Sequence, residues 1–222
     1  MGYLPIFLDV GAKRCLVVGG GEVAAHKADS LLAAGAAVQV ISPRVCERLG
    51  KLGRARRLGI SRRAYRGEDM LGAVLVFACS DDRQLQARVL SDARRAGVLA
   101  AAADDASASD FISGSVLRRG DLCLVVSTSG KSPSLAVFLR RELEERIGPV
   151  YAEIVSYLGR LRESMKADGL SGLERKRLFD EVLGRGLLGL LESGRHEEAE
   201  TLVREFVGAK IVGKMDLSSR KE

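Results

Sequence analysis

Residues 14–24 read Arg-Cys-Leu-Val-Val-Gly-Gly-Gly-Glu-Val-Ala, and the fold class follows from this stretch. Arg14–Val18 is a short apolar run of strand type that ends abruptly in Gly19-Gly20-Gly21. A helical segment follows from Glu22 to about Ala34, with Gly35 placed as its C-terminal stop. Gly19 to Ala24 fits the pattern G-x-G-x-x-A. Its position directly after a strand and at the opening of a helix makes this common pattern informative. In that setting Gly19 permits the tight turn, Gly21 lets a pyrophosphate approach the backbone, and Ala24 allows close helix–strand packing. The unbonded N–H groups and the positive end of the helix then face the phosphates. The expectation is dinucleotide binding; the competing reading is a strand-to-helix turn without a ligand.

Working outward, Val38–Ile41 reads as the next strand, ending in Ser42-Pro43-Arg44 where an acidic residue commonly binds the ribose. Ser42 can bond a ribose hydroxyl and Arg44 can accept a 2′-phosphate, so residue chemistry alone leaves NAD and NADP both open. Ile60–Tyr65 is a weaker strand, and Arg62 and Arg63 suggest a sheet edge. Val74–Cys79 is a fully apolar strand, Asp81–Ala96 a helix reaching Gly97, and Val98–Ala103 a further strand. This βαβ rhythm predicts a Rossmann-like α/β domain, a parallel sheet with helices on both faces. Ser80-Asp81-Asp82 and Asp104-Asp105 follow two of these strands at the carboxyl edge, where open α/β sheets bind ligands. An aspartate there is a candidate general base, against the commoner role of turn or cap residue.

Beyond this domain, 114–118 and 122–127 suggest two strands around Arg119-Gly120-Asp121. A Ser-Thr-Ser-Gly-Lys-Ser-Pro loop then leads into a helix over 133–147, with Ser132 as its N-cap and Pro133 at its first position. The remainder is helical. Val150, Ile154, Leu158 and Leu161 line one face. Ser171 and Glu174 form a capping-box pattern, a further helix covers roughly 197–207, and the polar end of the chain, 214–222, reads as frayed.

The chain has 222 residues, 46% apolar and 29% charged, so it can bury a core without staples. Aromatic residues make up 5% with no Trp, which disfavours a stacking platform for nucleic acid. Thirty-five basic against 29 acidic residues give a net charge of +6, which fits an acidic ligand or an ordinary solvated surface. Cys15, Cys46, Cys79 and Cys123 form no C-x-x-C pair, so neither a zinc site nor a disulfide framework is expected, and a reducing cytoplasm fits best. No signal-peptide pattern is present, and no apolar run approaches the roughly 18 residues of a membrane span. His26 and His196 stand in no metal-ligand spacing, and no metal is expected.

Five segments occur together in order: residues 4–10 (LPIFLDV), 17–43 (VVGGGEVAAHKADSLLAAGAAVQVISP), 77–82 (FACSDD), 102–112 (AADDASASDFI) and 125–145 (VVSTSGKSPSLAVFLRRELEE). Together they resemble the precorrin-2 dehydrogenases of siroheme synthesis, some of which are also sirohydrochlorin ferrochelatases. The resemblance runs from about Leu4 to Val207. It implies NAD-dependent oxidation of precorrin-2 to sirohydrochlorin by a homodimer. The implied subunit has an NAD-binding domain (1–114), a dimerisation segment (115–150) and a C-terminal helical domain (151–222). The family's catalytic aspartate, seven residues before Phe-Ile, falls on Asp104, with Asp105 as the competing assignment. The cofactor contacts fall on Gly19, Gly21, Glu22 and Val23 of the glycine loop, on Ser42, Pro43 and Arg44 after the second strand, and on Ser80. Ala101 stands where the family often has Asn, His26 where it often has Arg, and Thr128 where some members carry a phosphorylated Ser. The substrate's carboxylates call for cationic partners, with Lys131, Arg118 and Arg119 as candidates. No nucleic-acid or membrane partner is implied. The alternative is a non-catalytic NAD-sensing module, which needs the glycine loop but has no use for the paired aspartates or the Ser-Thr-Ser-Gly-Lys-Ser-Pro loop.

Overall fold

The computed structural model describes residues 2–55 and 57–207, and the expected fraying of 214–222 lies outside them. The chain divides into two compact units, Met1–Ser113 with Ser129–Lys131, and Gly114–Thr128 with Ser132–Glu222.

The first unit is a five-stranded parallel sheet. Its strands are β1 (Arg14–Val18), β2 (Ala37–Ile41), β3 (Gly59–Ser61), β4 (Ala73–Ala78) and β5 (Leu99–Ala102), in the order β3-β2-β1-β4-β5. The chain builds outward from β1 to one edge and then returns to its other side. The carboxyl ends of β1 and β4 therefore flank the switch point, where ligands of such sheets bind. The alternation of side chains along β1 sorts the two cores. Cys15 and Val17 pack with Ala24, Ala25, Ala28 and Leu31 of α1 (Glu22–Ala33) and with Leu49 of α2 (Glu47–Arg54). Leu16 and Val18 pack on the opposite face with Val89, Leu90 and Ala93 of α3 (Arg83–Ala96) and with Met70. Burial on both faces is why the central strands read as continuous apolar runs.

The expected elements form with small differences at their ends. Gly35 and Gly97 take positive φ (76° and 68°) just past α1 and α3, as helix-stop glycines do. The edge strand is shorter than expected, because after Ser61 the chain turns so that Arg63 can clasp Asp69 through two N–H···O bonds of 2.9 and 2.6 Å. Helix α2 was not legible, since Gly50 and Gly53 lower its intrinsic propensity. At Gly53 the helix comes close to β3: a Cβ there would lie 2.5 Å from Ile60 Cδ1, and that side chain would have to shift.

The second unit opens with an antiparallel hairpin, β6 (Ser115–Arg119) and β7 (Leu122–Val126), whose turn contains Gly120 at φ 56°. Helix α4 (Pro133–Arg146) packs on this hairpin. Four helices follow: α5 (Tyr151–Ala167), α6 (Gly172–Gly184), α7 (Leu187–Glu192) and α8 (His196–Val207). Their core holds Ile154, Tyr157, Leu161, Met165, Val182, Leu187 and Leu191. The expected face of α5 is slightly rotated, so Val150 and Leu158 only flank it. Both bonds of the Ser171/Glu174 capping box are made, at 3.3 and 2.8 Å. No helix among the described residues is long and apolar enough to cross a membrane.

Candidate functional site

The loop after β1 is locked by its neighbours. Gly19 N–H donates to the Ile41 carbonyl (3.0 Å), and Cys46 N–H donates to the Gly20 carbonyl (2.7 Å). A Cβ on Gly19, which holds φ at 133°, would lie 2.3 Å from the Cys79 carbonyl oxygen. A Cβ on Gly20 would lie 1.8 Å from the Arg44 carbonyl oxygen. The two glycines thus let the β1 loop nest between the ends of β4 and β2. Gly20, an unspecified position of the pattern, is the more constrained of the two. Gly21 differs: a Cβ there meets nothing within 4 Å. It is the N-cap of α1 and supplies no side-chain cap, so the first N–H groups of the helix point outward unmasked. Val23 beside them is 51% exposed, while Ala24 is fully buried against the sheet. An open glycine, bare helix N–H groups and an exposed apolar side chain fit a dinucleotide's pyrophosphate and the groups flanking it.

After β2, Ser42 is buried and its hydroxyl donates to the Arg44 carbonyl (2.6 Å). Ser42 therefore shapes the loop and retains only acceptor capacity toward a ribose. Pro43 and Arg44 are exposed at the rim. After β4, Ser80 Oγ accepts from Asp82 N–H (3.2 Å). Asp82 caps α3, accepting from Gln84 N–H (2.9 Å) and Leu85 N–H (3.2 Å).

The two aspartates after β5 separate clearly. Asp105 Oδ1 accepts from Ser107 N–H (2.9 Å), Ser107 Oγ (2.6 Å) and Ala108 N–H (3.2 Å). The Ser107 hydroxyl, and then the backbone bond from Ala108, hold its carboxyl below the usual carboxylate range. Asp105 is committed to shaping its own turn. Asp104 is exposed and makes one side-chain hydrogen bond: Oδ1 accepts from Gln86 Nε2 at 3.1 Å. Its Oδ2 has no hydrogen-bond partner among the described residues.

Two further groups at this edge escaped the sequence reading. The Lys27 ammonium on α1 lies 5.0 Å from the centroid of the Phe77 ring, which meets Phe111 edge-on at 5.3 Å. Burial lowers the pKa of Lys27, and nearby Cys79 acts in the opposite direction. Burial pushes the Cys79 thiol up to about 11, Lys27 opposes this and Asp104 adds to it. Cys79 therefore stands within electrostatic reach of both Lys27 and Asp104. No ion pair is made by Lys27 among the described residues.

Of the expected substrate cations, Lys131 is exposed, and Gly130 beside it lies near Ala106 of the loop after Asp104. Arg119 is committed elsewhere, donating to the Ile147 carbonyl (3.0 Å) and pairing with Glu144 (3.5 Å). Thr128 Oγ1 accepts from Ser132 N–H (3.0 Å), and Ser132 caps α4. Among the described residues no three His, Cys, Asp or Glu side chains gather where they would hold a metal ion.

Residues 6–115 match a family described as "Putative NAD(P)-binding", and residues 119–146 match the sirohaem biosynthesis protein central family. The siroheme synthase of Nitrosospira multiformis is 34% identical over 211 residues, covering 93% of this chain and 45% of the relative. Siroheme synthase 1 of Serratia proteamaculans is 37% identical over 204 residues, covering 90% and 42%. The chain thus spans less than half the length of these relatives. Among solved structures, SirC, a precorrin-2 dehydrogenase, superposes with a TM-score of 0.75 at 21% identity, over 92% of this chain and all of that one. The glycine loop at the switch point, the hairpin-and-helix segment that follows in the sequence and these matches agree: the chain carries an NAD(P)-binding part and the central part of a sirohaem-biosynthesis protein.

Proposed function

We propose that this chain oxidises precorrin-2 to sirohydrochlorin with NAD as the electron acceptor, and that Asp104 takes the proton. The observation that carries the reading is a carboxylate with one oxygen unpartnered among the described residues, at the same carboxyl edge of the sheet as a loop open for a pyrophosphate. The substrate loses two hydrogens. Bound NAD would supply the acceptor for one of them, as a hydride. The other leaves as a proton to Asp104 Oδ2, and the protein's remaining task is to orient the two reactants. Gly19 and Gly20 set the loop, Gly21 and the α1 N–H groups receive the phosphates, and Glu22 and Val23 flank them. Ser42, Pro43 and Arg44 border the ribose, and Ser80 borders the nicotinamide side. Lys27 and Lys131 are suited to substrate carboxylates: Lys27 stands near Cys79 without an ion pair among the described residues, and Lys131 is exposed next to Gly130, which lies near Ala106. A sensor module would not need a carboxylate held at this edge, so that alternative is not favoured.

Relatives named siroheme synthase support a second activity on the same product, insertion of ferrous iron into sirohydrochlorin. The macrocycle supplies four nitrogens, and the two pyrrole protons leave in turn, each taken by the exposed Asp104 and passed to water before the next. We further propose that 115–150 pairs with a second copy across a two-fold axis. In support, Val116, Val125, Leu135 and Phe138 are 45, 48, 47 and 58% exposed on the hairpin and α4. The helical domain is then 151–222, and four free thiols favour a reducing cytoplasm. Mixing the purified chain with precorrin-2 and NAD under anaerobic conditions tests the main claim. Absorbance at the NADH band should rise together with sirohydrochlorin; no turnover with NAD or NADP refutes it. Ferrous or cobaltous ion added to sirohydrochlorin tests the second activity, and light scattering tests the dimer.

A further inference from the structure

The helix α3 buries a stripe at i, i+3, i+4 and i+7, formed by Gln86, Val89, Leu90 and Ala93. Three of these are apolar core residues. Gln86 is polar and only 8% exposed. A buried amide is costly unless it is bonded, so its partners indicate why it is there. Both are loop groups at the carboxyl edge. Gln86 Nε2 donates to the Ser80 carbonyl after β4 (2.5 Å) and to Asp104 Oδ1 after β5 (3.1 Å).

We infer that Gln86 is the positioning residue for Asp104, tying the loop after β4 to the loop after β5 and fixing where the proton acceptor stands. The inference rests on the reading of Asp104 given above. The loop from Ala103 to Asp110 is irregular: Ala103 N–H donates to the Ala78 carbonyl (3.0 Å) just before Asp104, and the other anchors lie beyond it. Asp105 closes its own turn, Ser109 Oγ accepts from Ala102 N–H (2.9 Å), and Asp110 Oδ2 accepts from Ala100 N–H (2.9 Å). Gln86 is the one side chain among the described residues that holds the Asp104 carboxylate. Its own place is fixed from below, because Asp82 caps α3 and Gln86 N–H donates to the Asp82 carbonyl (3.0 Å). As a donor Gln86 is neutral. It orients the carboxylate without the charge by which Arg or Lys would suppress its basicity.

The test is a double-substitution cycle with Gln86→Met and Asp104→Asn. Displacing a reacting group by about 1 Å costs up to about 100-fold in rate. Gln86→Met should therefore lower kcat by roughly 10- to 100-fold, with KM and the Kd for NAD within about twofold. In the Asp104→Asn background the same change should alter the residual rate by less than about twofold, because coupled groups are not additive. Equal losses in both backgrounds, or an unchanged kcat, overturn the inference.

Gln86→Glu is the second variant, for the case that Gln86→Met does not fold or the Asp104→Asn rate is too low to read. A protonated carboxyl can donate where an ionised one repels. Activity relative to wild type should therefore recover as pH is lowered, and a flat ratio contradicts the role. If the wild-type chain does not oxidise precorrin-2, the activity reading fails by itself. Positioning is then decided by amide hydrogen exchange over residues 103–108, expected at least about fivefold faster in whichever Gln86 variant folds. Unchanged exchange overturns it.

Discussion

Replacing Gly21 by Ala separates cofactor binding from folding, because this glycine has no structural reason to lack a side chain. Its backbone sits at φ −81°, ψ −172°, which any residue adopts, and an added Cβ meets no protein atom within 4 Å. Loss of a Gly cap costs the helix at most about 1 kcal/mol, since Ala is the poorer N-cap. The apo protein should therefore melt within about 3 °C of wild type, the shift expected for ~1 kcal/mol at this chain length. If a pyrophosphate packs against this backbone, the methyl group occupies its ground and displaces it from the α1 N–H groups. Loss of one or two charge-assisted hydrogen bonds, about 1.5–3 kcal/mol each, weakens NAD binding by at least ~10-fold. Gly20→Ala is the control: its Cβ would stand 1.8 Å from a backbone carbonyl oxygen, so stability and binding should fall together. Titration calorimetry with NAD and thermal unfolding of the apo form measure both quantities. Wild-type affinity in Gly21→Ala would refute the placement of the phosphates. A large loss of apo stability in that variant would refute the claim that the space above Gly21 is free for a ligand.

Other outcomes follow from the same structure. Ser171→Ala removes the hydroxyl that caps α6 and should cost about 1 kcal/mol in the unfolding of the second unit, leaving NAD affinity unchanged by calorimetry. The Arg63 guanidinium, and then the Arg66 N–H, hold the Asp69 carboxyl below its ordinary range, with burial opposing them. Its contribution is complete above the unfolded value of about 3.9 and is lost as pH falls through the lower folded value. Denaturant melts from pH 5 downward should therefore show a shallower acid loss in Asp69→Asn than in wild type; parallel curves would contradict this. Lys27→Met removes a half-buried cation that has no ion-pair partner among the described residues. It should raise KM for precorrin-2 about 10-fold, on the scale of one charge-assisted bond, with little change in NAD affinity.

Much of the first unit was legible because its strands and caps carry local signals. β4 and β5 are apolar throughout and β1 is so after Arg14, and Gly35, Gly97, Ser132 and Ser171 mark helix ends by backbone conformation or side-chain bonding. Two short helices were not legible. Helix α2 contains two glycines and is held by packing on β3. Helix α7, at six residues between Gly186 and Gly194, is too short to show a helical period, and Leu187 reads as part of the helix opened at Ser171, which ends at Gly184. At the site, residue spacing singled out Asp104 and Asp105 together, and hydrogen bonding distinguishes them, since one oxygen of Asp105 is used three times by its own turn. Gly20, Lys27 and Gln86 carried no pattern of their own. What matters about each is the distance to a residue 15 or more positions away, which depends on how β2, β4 and β5 are brought together. A polar residue interrupting the apolar stripe of α3 was the one local signal that would have pointed to Gln86.

Which aspartate serves the reaction decides whether Asp104 is the proton acceptor. Single-turnover oxidation of precorrin-2, followed as NADH formed per enzyme, should be compared among wild type, Asp104→Asn and Asp105→Asn, with NAD affinity measured on each. The account predicts that Asp104→Asn loses at least about 100-fold in rate, the scale of a general base, while binding NAD normally. Asp105→Asn should keep its rate within several-fold. A wild-type rate in Asp104→Asn, or the large loss in Asp105→Asn instead, would contradict it.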